Sequence, residues 1–174
     1  MEIEPLPEMK RILVLLTTCA LLLSGCIKDA PGQGGNVQPG DRLPAFSVRM
    51  DDGSILRSQD LAAGPALLVF FHTTCPDCQR TLPVVQRAFE NYPGVRFAAI
   101  SRAESAEDIR AWWTEHGISL PFSAQEDRSV YALFASERIP RIYITETGGT
   151  VAACFDDSPC PDYADLARVL DTLR

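Results

Sequence analysis

The sequence predicts one α/β domain, with a mixed central sheet flanked by helices on both faces and a β-hairpin extension on the N-terminal side. Three observations lead to this class. Apolar segments of strand length alternate with amphipathic segments of helical period, a glycine-containing turn marks a hairpin near each end, and there is no internal repeat. With 174 residues, 46% of them hydrophobic and 22% charged, the chain has the composition of a globular protein and not of a disordered one.

The elements are predicted in the order hairpin, β, α, β, α, short α, hairpin, α. The first hairpin turns at Asp52-Gly53, and the strand over 66–71 is apolar at every position, which indicates burial on both faces. The helix over 76–91 is expected to kink at Pro83, because proline removes an amide donor. The remaining elements are predicted over residues 45–50, 54–57, 95–100, 105–116, 127–135, 141–145 and 150–155, followed by a last helix that Asp162 caps.

The N-terminal region is typical of a signal peptide. Residues 9–26 combine Lys10 and Arg11 with an apolar run that is shorter than the roughly 20 residues of a membrane-spanning helix. This segment ends in Leu-Ser-Gly-Cys26, which resembles a bacterial lipobox and implies cleavage before Cys26 and lipidation of that residue. Residues 1–8 are acidic where a signal should be basic, which favours Met9 as the true start.

Three parts of the chain are therefore expected: a lipoprotein signal peptide over 1–26, a flexible linker over 27–40 and a folded domain over 41–174. A lipid on Cys26 would anchor the domain to a membrane of the bacterial cell envelope, facing the periplasm or the extracellular side. The net charge is −7 and no run of Lys or Arg is present. Nucleic acid is therefore not an expected partner.

The segment Cys75-Pro76-Asp77-Cys78, called the CPDC segment below, lies where the strand over 66–71 meets the following helix. Free amides at a helix N-terminus favour an anion, so Cys75 is the predicted nucleophile. Cys78 follows on the apolar stripe of the helix and is the predicted resolving thiol. Together they predict thiol-disulfide exchange, with the Cys75–Cys78 disulfide as the redox group and no further cofactor.

A Cys-x-x-Cys pair also occurs in zinc sites and in structural disulfides. Zinc needs four ligands, and the two other cysteines of the folded domain, Cys154 and Cys160, lie far along the chain at a spacing unlike that of a zinc knuckle. No metal site is therefore predicted.

From about residue 39 to 174 the chain resembles the thioredoxin-like thiol-disulfide oxidoreductases of the TlpA/ResA type. The resemblance is carried by the Asp52-Gly53 hairpin, the CPDC segment after an apolar strand, Pro83, and Ile139-Pro140 before the penultimate strand. It implies a thioredoxin fold in which Pro140 is cis and faces the Cys75 sulfur. The substrate groove that it implies is formed by Thr74, Pro76, Asp77, Ile139 and Pro140.

The resemblance also implies the partners. Substrates would be protein thiols or disulfides, the work would be reductive, and a membrane thiol carrier would supply the electrons. Preparation of haem-binding cysteines for cytochrome c maturation is one such duty in this family.

The chain departs from the family pattern around the cysteines. Thr74 replaces a Trp, Val69 stands where relatives have a buried Asp or Asn, and Thr81 replaces a Glu. No buried carboxylate is thus evident to deprotonate Cys78. His72 either stabilises a thiolate as a cation or is a structural histidine.

Cys154 and Cys160 form a second pair, separated by five residues. One interpretation is a local structural disulfide, and the other is a second redox pair or a substrate-sensing gate. Pairing Thr145 with Thr150 across the last hairpin would set Cys154 opposite Arg141 and next to Pro140. The loop after Cys154 is therefore expected to border the active site.

Other functions are less well matched by the residues. A peroxiredoxin needs Pro-x-x-x-Thr-x-x-Cys, but Leu68 and His72 stand at the Pro and Thr positions. A copper-delivery protein of the Sco type needs Cys-x-x-x-Cys. A non-catalytic lipoprotein that keeps the fold for binding or for a structural role is the alternative from another class, and disulfide-reduction assays distinguish it.

Overall fold

The computed structural model describes residues 37–173. The strands are β1 (Ser47–Arg49), β2 (Ile55–Arg57), β3 (Ala66–Phe71), β4 (Arg96–Ser101), β5 (Phe122–Ser123), β6 (Arg141–Thr145) and β7 (Val151–Phe155). The helices are α1 (Ser58–Leu61), α2 (Pro76–Asn91), α3 (Ala106–His116), α4 (Ser129–Ala132) and α5 (Tyr163–Leu170), followed by a 3-10 turn over Asp171–Leu173. The predicted signal peptide, the start at Met9 and the lipidation site Cys26 lie outside the described residues.

The main sheet has five strands in the order β5-β4-β3-β6-β7, and β1 and β2 form a separate antiparallel pair. β3 pairs with β4 and β4 with β5 in parallel, whereas β6 and β7 run antiparallel to their neighbours. This mixed sheet with flanking helices and an N-terminal hairpin is the thioredoxin fold, so the predicted fold class is confirmed.

β3 is the centre of the sheet, and all six of its side chains are buried. Because consecutive side chains of a strand point to opposite faces, the last two residues of β3 reach different layers. Phe70 packs against Phe134, with 4.7 Å between ring centroids, and Phe71 packs against Trp113 at 4.9 Å. The end of β3, where the CPDC segment begins, is therefore held from both faces and by hydrogen bonds to both neighbouring strands.

The helix α2 runs from Pro76 to Asn91 without interruption and includes Pro83. Its buried residues include Cys78, Leu82 and Val85, which are three members of the predicted apolar stripe. Two short elements, α1 and β5, were not predicted, since four and two residues show no measurable period. The short helix predicted over 127–135 is only four residues long, at Ser129–Ala132.

The described part of the domain begins before the predicted boundary at Asp41. Val37 is buried and its N–H donates to the carbonyl of Phe134 at 2.8 Å, and the N–H of Gly40 donates to Val151 at 2.8 Å. Residues 37–40, which the composition assigned to the linker, thus pack on the domain. A single apolar residue in a glycine-rich segment gives too weak a pattern to show this.

The register of the second hairpin differs from the predicted one. Thr145 pairs with Val151, not with Thr150, and Tyr143 pairs with Cys154. Cys154 is therefore not opposite Arg141, and the prediction of that register was wrong.

The turn chemistry explains the difference. The N–H of Glu146 donates to the carbonyl of Thr150 at 3.0 Å, so the turn closes one residue later than predicted. A register shift between Ile144 and Thr145 displaces the pairing by one more residue, so that Ile144 lies opposite Ala153. Gly148 and Gly149 both have positive φ, 99° and 79°. This turn favours glycine because residues with a side chain rarely adopt such a conformation.

Among residues 37–173, no helix has the length and apolar character needed to cross a membrane. In the same range, no group of three or more His, Cys, Asp or Glu side chains is arranged to hold a metal ion.

Candidate active site

Cys75 is the residue that starts α2. It has an extended backbone conformation, Pro76 follows at the first helical position, and the Cys75 sulfur accepts a hydrogen bond from the N–H of Cys78 at 3.5 Å. Proline is favoured at this position because the amide that it lacks has no partner within the helix. The sulfur of Cys75 is thus the group to which the helix N-terminus offers its free amides, as the sequence predicted.

Cys78 lies one helical turn further on and has no exposed surface. Its burial raises the pKa of the thiol well above the ordinary value, and the neighbouring sulfur of Cys75 adds to this effect. The two thiols therefore differ in access: Cys75 is partly exposed and Cys78 is not. A substrate can reach Cys75 only, which fits the predicted roles of nucleophile and resolving thiol.

A second wall of the site is the segment Arg138-Ile139-Pro140. The Ile139–Pro140 peptide bond is cis, as the resemblance implied. The thiol of Cys75 donates to the carbonyl oxygen of Ile139 at 3.5 Å, so the cis-proline segment faces the nucleophile. Arg138 has a φ of 69°, an unusual conformation for a residue with a side chain, and its carbonyl accepts a 2.6 Å hydrogen bond from the hydroxyl of Tyr131.

The predicted groove residues have different positions in the structure. Thr74 and Pro76 are exposed on either side of Cys75, while Ile139 and Pro140 are buried and the Ile139 carbonyl oxygen faces Cys75. Asp77 is half-buried, since its side chain is 34% exposed, and it forms an ion pair with Arg80 in the next helical turn.

A buried carboxylate, missed in the sequence, lies beside the residues that precede Cys75. The side chain of Glu104 is 3% exposed, accepts the N–H of Thr73 at 2.9 Å and also accepts the Thr73 hydroxyl. His72 Nδ1 lies 3.6 Å from Glu104 and accepts the N–H of Thr74 at 3.3 Å. His72 is thus part of a network that holds the approach to Cys75, which supports the structural interpretation of this residue.

Glu104 was detectable in principle from the topology. β3 and β4 are parallel, with Phe71 opposite Ser101, so the residues that follow them lie at the same edge of the sheet. That edge opens into a groove of about 1090 Å³, whose lining includes His72, Thr74, Glu104, Trp112 and Gln125. Because Thr74 is part of this lining, the groove runs up to the residue directly before Cys75.

The second cysteine pair approaches the active site through Cys160. The Cys160 thiol donates to Oδ1 of Asp77 at 3.8 Å, although 83 residues separate the two. The expectation that the loop borders the active site is met, but by Cys160 at Asp77 and not by Cys154 at Pro140. Cys75, Cys78, Cys154 and Cys160 are all free thiols in this structure, so a Cys154–Cys160 disulfide stays a prediction.

Comparison with known proteins agrees with this geometry. Thiol-disulfide oxidoreductase ResA of Bacillus thuringiensis is 22% identical over 149 residues, which cover 82% of this chain and 86% of the relative. The thioredoxin domain of a thiol-disulfide oxidoreductase from Bacteroides vulgatus superposes with a TM-score of 0.69 at 16% identity, covering 80% of this chain and 100% of the other.

A peroxidoxin from Mycobacterium tuberculosis, BcpB, also superposes, with a TM-score of 0.65 at 18% identity over 80% of this chain and 97% of the other. At these identities the solved structures show the common fold. The predicted resemblance to ResA-type proteins and the enzyme class that it implies are confirmed. The model of the AhpC/TSA family matches residues 39–154, which is more than half of the sequence, and the chain therefore belongs to this family of thioredoxin-like proteins.

Proposed function

We propose that this protein is a lipid-anchored oxidoreductase of the bacterial cell envelope that reduces disulfides of protein substrates through Cys75 and Cys78. The observation that carries the proposal is the position of the Cys75 sulfur. It lies at a helix N-terminus, 3.5 Å from the carbonyl of Ile139 beside a cis-proline, with a buried thiol one turn behind it.

The first step is attack of the Cys75 thiolate on one sulfur of a substrate disulfide. The second substrate sulfur leaves as a thiolate, and a mixed disulfide joins Cys75 to the substrate. The amide of Cys78, which donates to the Cys75 sulfur, stabilises the negative charge before the attack. The carbonyl of Ile139, which faces Cys75, places the cis-proline segment beside the path of a substrate chain, and the resemblance to ResA-type proteins implies that the chain lies along it.

The second step releases the substrate. Cys78 loses its proton and attacks the Cys75 sulfur, the substrate thiol leaves, and the Cys75–Cys78 disulfide forms. Two electrons have then passed from the enzyme to the substrate. Because burial raises the pKa of Cys78, its deprotonation is expected to limit this step at neutral pH.

The reductive direction and the partners rest on the resemblance to ResA-type proteins. A membrane thiol carrier would return the oxidised enzyme to the dithiol state, and the substrates would be extracytoplasmic proteins, such as those that carry haem-binding cysteines. The acidic domain, with no basic surface run in its sequence, is consistent with protein and not nucleic-acid partners.

Reduction of insulin disulfides tests the activity. The wild type should be active, Cys75→Ser should lose on the order of 1000-fold in rate, and Cys78→Ser should stop as a mixed disulfide through Cys75. Glu146→Ala, at an exposed position outside the CPDC segment, is the control and should keep the wild-type rate. Full activity of Cys75→Ser would contradict the role of Cys75 as the nucleophile, and an inactive wild type would favour the non-catalytic alternative.

The anchor has its own test. The full chain expressed in a bacterium should incorporate a labelled fatty acid and enter the detergent phase, whereas Cys26→Ala should do neither. A label that persists in Cys26→Ala would contradict lipidation at this residue.

A further inference from the structure

The loop after β7, residues 156–160, is attached to the cis-proline wall of the site by two ion pairs. Asp156 lies 3.7 Å from Arg141, and Asp157 lies 3.2 Å from Arg138. These two arginines flank Ile139-Pro140 on either side in the sequence. The loop is therefore fixed along the wall that faces Cys75.

The end of the same loop touches the opposite wall. The sulfur of Cys160 lies 3.8 Å from Oδ1 of Asp77, the residue directly before Cys78 and two residues after Cys75. Both Cys160 and Cys75 are partly exposed, whereas Cys78 is completely buried. Within the CPDC segment, Cys75 is therefore the sulfur with exposed surface, and Cys160, whose S–H makes only a weak hydrogen bond to Asp77, is held beside this segment.

The second thiol lies in β7, just before the loop. Cys154 is half-buried in β7 and lines a cavity of about 320 Å³ together with Asp156, Ser158 and Pro159. Five residues separate it from Cys160, a loop short enough to close into a disulfide at low entropic cost. Burial raises the pKa of the Cys154 thiol, which disfavours Cys154 as the thiol that makes the first attack.

We propose that Cys154 and Cys160 are a second redox pair, which takes over the disulfide of Cys75–Cys78 within the same molecule. The Cys160 thiolate attacks the Cys75 sulfur, and Cys78 leaves and takes up a proton. Cys154, after losing its proton, then attacks Cys160 and releases Cys75. The net result is a Cys154–Cys160 disulfide and a reduced active site, with two electrons moved from the second pair to the first.

This inference rests on the proposed function, since the oxidant is the active-site disulfide that substrate reduction produces. The inference predicts how many substrate disulfides one molecule can reduce. One fully reduced molecule should reduce two substrate disulfides before it needs an external reductant, because the second pair resets the first once. Both partners belong to one chain, so the exchange has a high effective concentration.

The test is a stoichiometric turnover of the full chain. The protein is reduced, freed of reductant and mixed with excess insulin, and disulfides are mapped peptide by peptide so that Cys19 and Cys26 are not counted. The wild type should reduce two disulfides per chain and end with both pairs oxidised, whereas Cys160→Ser should reduce one. The double variant Cys75→Ser/Cys78→Ser should reduce none and keep Cys154 and Cys160 as thiols.

The outcomes separate the two proposals. No reduction by the wild type would remove the proposed function. One disulfide per wild-type chain, with Cys154 and Cys160 still reduced, would overturn the second pair and leave the proposed function intact. Oxidation of Cys154 and Cys160 in the double variant at the wild-type rate would also overturn the inference, because the route would not pass through Cys75.

A trapping experiment identifies the attacking thiol. Cys78→Ser/Cys154→Ser keeps Cys75 and Cys160, and its matched control Cys78→Ser/Cys160→Ser keeps Cys75 and Cys154. Under mild oxidation with diamide, the first variant should form its internal disulfide at least ~10-fold faster than the control. Equal rates would contradict the assignment of Cys160.

Discussion

The two cysteine pairs differ in the structure that separates their members. Cys75 and Cys78 belong to one helical turn that follows the central strand, whereas Cys154 lies in β7 and Cys160 at the end of the loop that follows it. The first pair is thus positioned by one helix N-terminus, and the second by a strand together with a loop that side-chain ion pairs attach to the domain. The difference teaches that the spacing of two thiols within one helical turn is fixed by the helix, whereas the spacing of Cys154 and Cys160 depends on the conformation of a loop.

The largest expected effect concerns the buried thiol of the first pair. Because burial raises the pKa of Cys78, its thiolate fraction should grow about tenfold per pH unit from pH 6.5 to 8.5, and release of substrate should accelerate about 100-fold over this range. Single-turnover kinetics of the mixed disulfide measure this step. A release rate that begins to level off toward pH 8.5 would show that Cys78 ionises like a free thiol, whose pKa is about 8.5.

The first pair differs from the second in that a buried carboxylate, Glu104, accepts a hydrogen bond from the backbone just before Cys75. Glu104→Ala should lower the free energy of unfolding by roughly 2 kcal/mol, because the N–H of Thr73 would lose its partner in a buried position. Urea unfolding measures the loss. Glu146→Ala is the control, since this glutamate is exposed, and a loss equal to that of the control would contradict a structural role of Glu104.

The stability of the reduced protein should depend on pH through the same buried thiol. The folded pKa of Cys78 is raised, so its contribution to stability is complete below the unfolded value of about 8.5 and is lost as the pH rises above it. The slope is about 1.4 kcal/mol per pH unit for one such group.

Denaturant unfolding of the reduced wild type and of reduced Cys78→Ala between pH 8.5 and 10 isolates this contribution, and Cys154→Ala gives the comparison with the second pair. Cys154 also has a raised pKa, but it is only half-buried, so its removal should flatten the pH dependence less. A larger change in Cys154→Ala than in Cys78→Ala would reverse the comparison.

The smallest expected effect concerns the attachment of the loop. Asp157→Asn removes the ion pair with Arg138, whose side chain is 52% exposed, and should lower the free energy of unfolding by less than about 0.5 kcal/mol. Thermal unfolding measures it. A loss of several kcal/mol would show that the loop is part of the core and not an attachment to it.

Much of this comparison was predictable from the sequence because the first pair depends on local patterns. A six-residue apolar strand, a proline after Cys75 and an apolar stripe through Cys78 each have a period or a position that can be read directly. The cis bond at Pro140 required the family resemblance, since nothing local to Ile139-Pro140 distinguishes it from other proline bonds.

The parts that were missed depend on contacts between distant residues. The parallel pairing of β3 with β4 brings Glu104 to the site, and the contact with Asp77 does the same for Cys160. The predicted hairpin register was wrong because the turn is closed by the N–H of Glu146 and the strands contain a register shift beside it. Neither feature can be recognised from the residue types alone. Val37 was assigned to a linker because its neighbours are polar and glycine-rich.

The surface attachment of the loop over residues 156–160 has a consequence for how this protein can change. Its bonds to the rest of the domain come from charged side chains, while the strand that carries Cys75 is hydrogen-bonded on both edges. Exchanges within the loop are therefore expected to leave the sheet intact. A lineage could then gain or lose Cys160 without rebuilding its catalytic centre, whereas a change at Cys154 would fall within β7.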